Sequence, residues 1–267
     1  MRVYFEPRLC FCKEIGRDII EQQIENHVMK QVKYWLWVGI LVSILFIVGC
    51  QKQAEDFVNK GKISSAIVQL IEKRDESEIV NDFFNVDADL QPSGELKEVQ
   101  TGTAFFISED GLLITCKHLV NNLDSQYFVR LKNGEEKKVK VLSRDSKNDI
   151  AILKLENMGQ AVSFLNFSDS NQLSVGDHVF AMGNYEYMGE IIALNQSVEA
   201  NDALNLKATF TNLIQTNLDI DPGDSGSPLL NEKGELIGMN VAFDTEYQGT
   251  AFAIPSEDLQ YFIAESP

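Results

Sequence analysis

Near the carboxyl end, the stretch Asp221-Pro222-Gly223-Asp224-Ser225-Gly226-Ser227-Pro228 sets a serine between glycines. A serine hydroxyl is a weak nucleophile until a base takes its proton and donors stabilise the oxyanion that follows. The glycines around Ser225 permit a tight turn that can aim the backbone N–H groups of Gly223 and Ser225 at one point. Alone, such a string is as often an ordinary loop. The base that would give it chemistry is a histidine. Beyond the first 50 residues the chain offers two. His118, in Thr115-Cys116-Lys117-His118, follows an apolar segment, whereas His178, in Gly176-Asp177-His178-Val179, enters one from a turn and reads as a solvated surface residue. The third member should be a carboxylate beside an apolar strand, held partly buried against the imidazole. Asp149, in Asn148-Asp149-Ile150-Ala151-Ile152-Leu153, fits; Asp145, in a polar loop, fits less well. The chain order is then His118, Asp149, Ser225.

Residues so far apart need a framework that brings them together. From about Val99 the texture is short strands separated by turns. Ala104–Ile107 and Leu112–Thr115 flank Glu109-Asp110-Gly111, and Tyr127–Leu131 and Lys137–Leu142 flank Asn133-Gly134. Both are hairpin signals. Ile150–Leu155, Val179–Met182, Glu190–Leu194, Leu229–Leu230, Leu236–Val241 and Thr250–Ile254 continue the pattern, which predicts an all-β barrel or sandwich. Ser256 is placed to cap a short closing helix through Phe262. No repeat recurs at a fixed period.

The region before this is different. Ile63, Ile67, Leu70 and Ile71 recur at helical spacing among polar residues, with Gly61 weakening the start and Gln91-Pro92-Ser93-Gly94 marking a break. Residues 51–97 therefore read as a helical spacer, or else an oligomerisation helix, leading to a domain over 98–267. Tyr34 to Gln51 is a run of 18 uncharged residues bracketed by Lys33 and Lys52, long enough to cross a bilayer as a helix. The run ends Ile47-Val48-Gly49-Cys50, which resembles a bacterial lipobox and makes Cys50 the lipidation candidate; a single uncleaved anchor over 34–51 is the other reading. Met29-Lys30-Gln31-Val32-Lys33 has the form of a signal-peptide n-region, so Met29 is the expected working start and 1–50 an extension plus a membrane-targeting helix. Lys30 and Lys33 hold the amino end inside and put the rest of the chain outside the cytoplasm.

The whole chain has 267 residues, 44% hydrophobic and 24% charged, with a net charge of −17. Those figures exclude a disordered chain, and the acidic balance disfavours nucleic acid as a partner. The four cysteines (Cys10, Cys12, Cys50, Cys116) are too few and too uneven for a disulfide scaffold. Cys116 has no partner beyond residue 50 and is expected as a small buried apolar residue.

The stretch from Gly102 to Ser256 resembles the HtrA-type trypsin-like serine protease domain. Gly102 to Thr115 resembles the hairpin before that family's catalytic histidine, and Asp149-Ile150-Ala151-Ile152-Leu153-Lys154 its aspartate strand. Val175-Gly176-Asp177 through Ala181-Met182-Gly183-Asn184, with Ile214-Gln215-Thr216-Asn217, resembles its second barrel. Gly234 to Asn240 and Ala251-Phe252-Ala253-Ile254-Pro255-Ser256 resemble its closing strands. The order His, Asp, Ser on a β-rich chain is that of the chymotrypsin-like enzymes. The resemblance implies two six-stranded antiparallel barrels, His118 and Asp149 from the first and Ser225 from the second. It also implies an oxyanion hole from the Gly223 and Ser225 amides about Asp224, and a specificity pocket walled by Ile220 and by Met239, Asn240, Val241 and Ala242. An apolar pocket implies cleavage after small or medium aliphatic residues. Ser227 stands where the family usually has a second glycine, as in the glutamyl endopeptidases. Those enzymes carry a histidine at the place of Asn240, which argues against acidic specificity. The chain stops eleven residues after Ser256, so no PDZ domain is expected to follow. Tyr185–Gly189, Glu199–Lys207 and Phe243–Gln248 match loops that shape the family's active site.

The expected function is a serine endopeptidase acting on unfolded or misfolded polypeptide, tethered through Cys50 or helix 34–51, with no metal or organic cofactor and with homo-oligomerisation open. The rival is a catalytically silent, membrane-tethered polypeptide-binding or chaperone module on the same fold; a scaffold is the third reading.

Overall fold

A computed structural model describes residues 60–84, 94–145, 147–183, 185–201, 207–221, 223–241 and 249–266. All lie in the second of two compact units, Asn59–Pro267. The signal-like segment, Cys50 and helix 34–51 fall outside the described residues, as do Ala242 and the loop 243–248. Among the described residues no helix is long and apolar enough to cross a membrane.

Twelve strands among the described residues make two closed antiparallel barrels. The first contains β1 (Ile67–Asp75), β2 (Leu96–Phe106), β3 (Leu112–Thr115), β4 (Gln126–Arg130), β5 (Glu136–Arg144) and β6 (Ala151–Leu155), in the ring order β1-β2-β3-β6-β5-β4. The second contains β7 (His178–Met182), β8 (Glu186–Asn201), β9 (Lys207–Thr216), β10 (Pro228–Leu230), β11 (Leu236–Val241) and β12 (Ala251–Pro255), in the ring order β10-β11-β12-β9-β8-β7. Traced from the first strand of each, the two rings are wired identically.

The hairpins form where the turn chemistry puts them. Between β4 and β5, Leu131 N donates to Glu135 O (2.9 Å), while the Asn133 side chain accepts from Glu135 N (2.9 Å). Phe105 and Phe106 of β2, Leu113 and Ile114 of β3, and Leu153 of β6 are fully buried. Their cluster does not stop at the first barrel. It runs into Leu230, Leu236, Met239, Val241 and Phe252 of the second, whose own cluster holds Val179, Ile191, Ile214 and Leu229. An apolar seam therefore joins the barrels, and backbone bonds lock it, Leu165 N to Phe106 O (2.9 Å) and Ser168 N to Leu236 O (2.8 Å).

The helical spacer over 51–97 is corrected by the structure. Residues 60–66 are helical, but Ile67–Asp75 is β1, paired with β2 from Ile67↔Phe105 to Asp75↔Leu96 and with β4 from Gln69↔Arg130 to Lys73↔Gln126. The barrel thus starts about thirty residues before the expected boundary at 98. Ile67, Leu70 and Ile71 suit a strand because both faces of β1 are covered, which erases the two-residue alternation. Its buried Glu72 is compensated by Arg74 Nε (3.0 Å) and Ser125 Oγ (2.6 Å). Buried Asp75 accepts from Ser77 N (2.9 Å), capping helix α1 (Glu76–Phe84), and from Gly94 N (2.7 Å), tying the end of the break to β1.

Two further expectations change. The segment read as a loop over 199–207 carries the end of β8 and the start of β9. Ser256 begins helix α2 (Ser256–Glu265) but does not cap it; Pro255 holds that position, and Ser256 Oγ donates to Ser168 O (2.7 Å).

Candidate active site

Asp149 sits just before β6, and the segment after β3 wraps around it. The Asp149 carbonyl accepts from Lys117 N (3.2 Å), its Oδ1 from His118 N (2.8 Å), and its Oδ2 pairs with His118 Nδ1 (2.5 Å). A single 3-10 turn, Lys117–Val120, presents the imidazole. The Asp149 side chain is 8% exposed and that of His118 27%, so the carboxylate is shielded while the imidazole keeps an accessible edge. Burial acts on Asp149 most strongly and favours the neutral acid. The hydrogen bonds and positive charge of His118, with the Cys116 thiol, overcome it and hold the carboxyl below its ordinary value. With Asp149 ionised, its Oδ2 accepts the hydrogen bond from His118 Nδ1 and orients the ring.

Cys116 lies behind this pair, fully buried, with Sγ 3.6 Å from Asn240 O. Burial, then the charge of Asp149, pushes its thiol well up, so it stays protonated. The donor atoms of Cys116, His118 and Asp149 all lie within 4.8 Å of one another, which is the spacing of a metal-ligand set. Two ligands at about 2.0–2.1 Å from a tetrahedral zinc stand roughly 3.3 Å apart. The 2.5 Å contact between His118 and Asp149 is closer than that and is a hydrogen bond. The trio is a hydrogen-bonded His–Asp pair with a thiol at its back. The expected alternatives stand elsewhere: Asp145 accepts from Lys147 N (2.7 Å) and Asn148 Nδ2 (3.0 Å) within its own loop, and exposed His178 faces Glu190 at 3.6 Å.

The serine segment is two turns in succession. Asp224 N donates to Asp221 O (3.0 Å) and Ser227 N to Asp224 O (2.9 Å), with Gly223 at φ 99° and Gly226 at φ 82°. Such angles suit glycine, and at Gly226 space demands it as well. A Cβ there would collide with the Thr103 carbonyl and come within 2.7 Å of Thr115 Oγ1 and 3.3 Å of Cys116 N. The turn is thereby pressed onto the first barrel two residues from His118. Thr103 fastens it, its N donating to Ser225 O (3.0 Å) and its Oγ1 to Gly223 O (3.0 Å), while its own carbonyl accepts from Thr115 Oγ1 (2.7 Å). From the other side Gly226 N donates to Asn240 O (2.9 Å). Ser225 itself is 6% exposed. Among the described residues, no acceptor takes the amides of Gly223 and Ser225, and no hydrogen bond joins Ser225 Oγ to His118.

Of the residues expected to wall a specificity pocket, Met239 and Val241 pack into the apolar seam and Ile220 against the second-barrel core. Asn240 is fully buried and donates through Nδ2 to Ser227 Oγ (3.1 Å), its Oδ1 without a hydrogen-bond partner among the described residues. Thr103 had no expected role, although Gly102-Thr103-Ala104 lay within a singled-out motif. Tyr187 was equally unassigned; its Oη donates to Asp224 Oδ2 (2.6 Å).

Twin antiparallel barrels with a hydrogen-bonded His–Asp pair on one and a glycine-flanked serine turn on the other define a chymotrypsin-like peptidase architecture. Comparison with known proteins narrows this. The trypsin-like peptidase domain matches residues 102–239, and the chain belongs to that family. It is 34% identical over 184 residues to a protein of Chlamydia muridarum described as "Probable periplasmic serine endoprotease DegP-like", covering 67% of this chain and 36% of that one. A protein of the same description from Bartonella henselae is 30% identical over 247 residues, covering 90% of this chain and 47% of its own. The chain thus spans less than half the length of these relatives. Among solved structures, the HtrA-type protease AlgW with a tripeptide has a similar fold, with TM-score 0.59 and 24% identity, covering 77% of this chain and 61% of the other.

Proposed function

We propose that this chain is a serine endopeptidase that hydrolyses unfolded polypeptide outside the cytoplasm through His118, Asp149 and Ser225. The observation that carries the proposal is the Asp149–His118 relay beside a serine turn clamped to the same barrel. In this reading the distal nitrogen of His118 takes the Ser225 Oγ proton as Oγ attacks the scissile carbonyl. Asp149 offsets the charge that develops on the imidazole. The oxyanion is received by the Gly223 and Ser225 amides, with Asp224 between them, and His118 then delivers its proton to the departing amine. Water repeats the sequence on the acyl-enzyme. Substrate enters as an added strand, with main-chain bonds giving affinity and the pocket at Ile220 and β11 reading one aliphatic side chain. Extracytoplasmic placement is supported by the periplasmic relatives and by the apolar run ending at Cys50; tethering through a lipidated Cys50, or through 34–51 as a helix, belongs to the proposal, as does assembly into oligomers.

A fluorophosphonate probe tests it. The wild type should be labelled and should cleave an unfolded protein, whereas Ser225→Ala should take no label and lose on the order of 10⁴-fold in kcat. A folded wild type that neither labels nor cleaves would overturn the proposal and leave a polypeptide-binding module.

A further inference from the structure

Asp224 is 1% exposed and immediately precedes the nucleophile. A carboxylate so deeply buried is costly unless hydrogen bonds replace its water. Its Oδ2 accepts from Asp221 N (3.1 Å) and from Tyr187 Oη (2.6 Å). Its Oδ1 lies against Gly183 at the end of β7, where any Cβ would collide with it. Tyr187 comes from the start of β8, in register with Ala181 of β7. Its ring is braced edge-to-face by Tyr185, centroids 6.4 Å apart. A second carboxylate, Asp221 Oδ2, stands 3.2 Å from the same hydroxyl. A phenol has one proton to give, and the shorter contact receives it.

Asp224 is also the residue shared by the two turns, ending one (Asp224 N to Asp221 O) and opening the next (Ser227 N to Asp224 O). The direction of its side chain therefore fixes the peptide planes on both sides. One carries the Gly223 carbonyl, held by Thr103 Oγ1; the other carries the Ser225 N–H. We infer that Tyr187 is a positioning residue: by donating into the buried Asp224 carboxylate it holds the 221–227 turn in the shape that directs the Gly223 and Ser225 amides at the oxyanion. Burial, and then the two carboxylates, make the phenol hard to ionise, so the donor persists across the working pH range. The inference rests on the peptidase reading above.

The test is a cycle of wild type, Tyr187→Phe, Asp224→Asn and the double variant, all in the full chain. It is read by kcat and KM on a peptide substrate and by amide hydrogen exchange of the segment 221–227. Y187F removes one oxygen and should lower kcat roughly ten- to a hundred-fold, less than the loss of about 10²–10³-fold on removing an oxyanion donor outright, with KM changed less than about threefold. Its 221–227 amides should exchange faster while those of β3 and β6 keep their protection. In the double variant the neutral amide needs the phenol less, so the second loss should shrink to within a few-fold of D224N alone. Unchanged kcat and exchange in Y187F would overturn the inference, as would an equal loss on the D224N background. If the wild type neither cleaves nor labels, the peptidase reading falls, and the exchange measurement still decides whether Tyr187 orders the turn. Should Y187F not fold, D224N decides alone, because weakening the same bond from the other end must loosen the same segment.

Discussion

A thiol walled in beside an ionised carboxylate has little freedom. Cys116 touches Asn240 O and stands within 4.8 Å of the Asp149 and His118 donor atoms, and any charge on this fully buried thiol would face the charge on Asp149. Its ionisation is therefore pushed well up, by burial first and by Asp149 second. In native protein at pH 8 the peptide containing Cys116 should resist iodoacetamide, and it should be alkylated once the chain is unfolded in denaturant, as read by mass spectrometry. The linkage follows in sign. The unfolded thiol loses its proton near pH 8.5 while the native one keeps it, so between that pH and the native value the folded state binds more protons. This contribution to stability is fully present below about pH 8.5 and declines by at most about 1.4 kcal/mol per pH unit above it. Denaturant unfolding at pH 8 and pH 9.5 should show a steeper alkaline loss for wild type than for Cys116→Ala; equal slopes would mean the thiol is not shielded. The pairing of His118 with Asp149 was legible in the sequence because the chemistry admits few residue types and the chain has few histidines. Tyr187 was not, since it meets Asp224 from 37 residues away and no local pattern announces that.

The elements divide along a similar line. Strands joined by compact turns, such as β4 and β5 around Asn133-Gly134, declare themselves through turn chemistry and short apolar runs. β1 does not. Its partners come later in the chain, its burial is nearly continuous, and Ile63, Ile67, Leu70 and Ile71 coincide with helical spacing. The charged stretch Glu72-Lys73-Arg74 reads as a solvated helix face, yet Glu72 is buried against Arg74 and Ser125, and Lys73 reaches Glu136 at 2.6 Å. The β8–β9 hairpin was hidden for another reason. Its register shifts repeatedly, and Asn195 and Asn212 adopt positive φ within it, so the alternation that marks a strand is broken. If β1 is a barrel stave, Leu70, 1% exposed, is a core residue. Leu70→Ala should then cost about 2–5 kcal/mol in denaturant unfolding, whereas the same change on an exposed spacer helix would stay within about 0.5 kcal/mol.

For the molecule as a whole, the consequence is where the catalytic unit begins. The two rings share one wiring, and in each the first strand closes the ring by pairing with the second and the fourth. In the first barrel that strand is β1, lying upstream of the region that texture and family resemblance both mark out. The match to the trypsin-like peptidase domain begins at residue 102, after β1 and partway along β2. A chain started at Leu96 would keep every proposed triad residue and the apolar seam. It would also leave β2 and β4 as unpaired edges flanking an open core, with Val68 and Leu70 missing from the cluster. Exposed edges and a breached core favour aggregation over folding. A chain started at Asn59, the boundary of the compact unit, keeps the ring closed. The Asn59 chain should therefore unfold in a single cooperative transition and react with a fluorophosphonate at the rate of the full protein, while the Leu96 chain should do neither. A Leu96 chain that unfolds cooperatively and labels normally would mean that β1 is an accessory to the barrel, and that His118 and Asp149 hold their 2.5 Å contact without a closed ring around them.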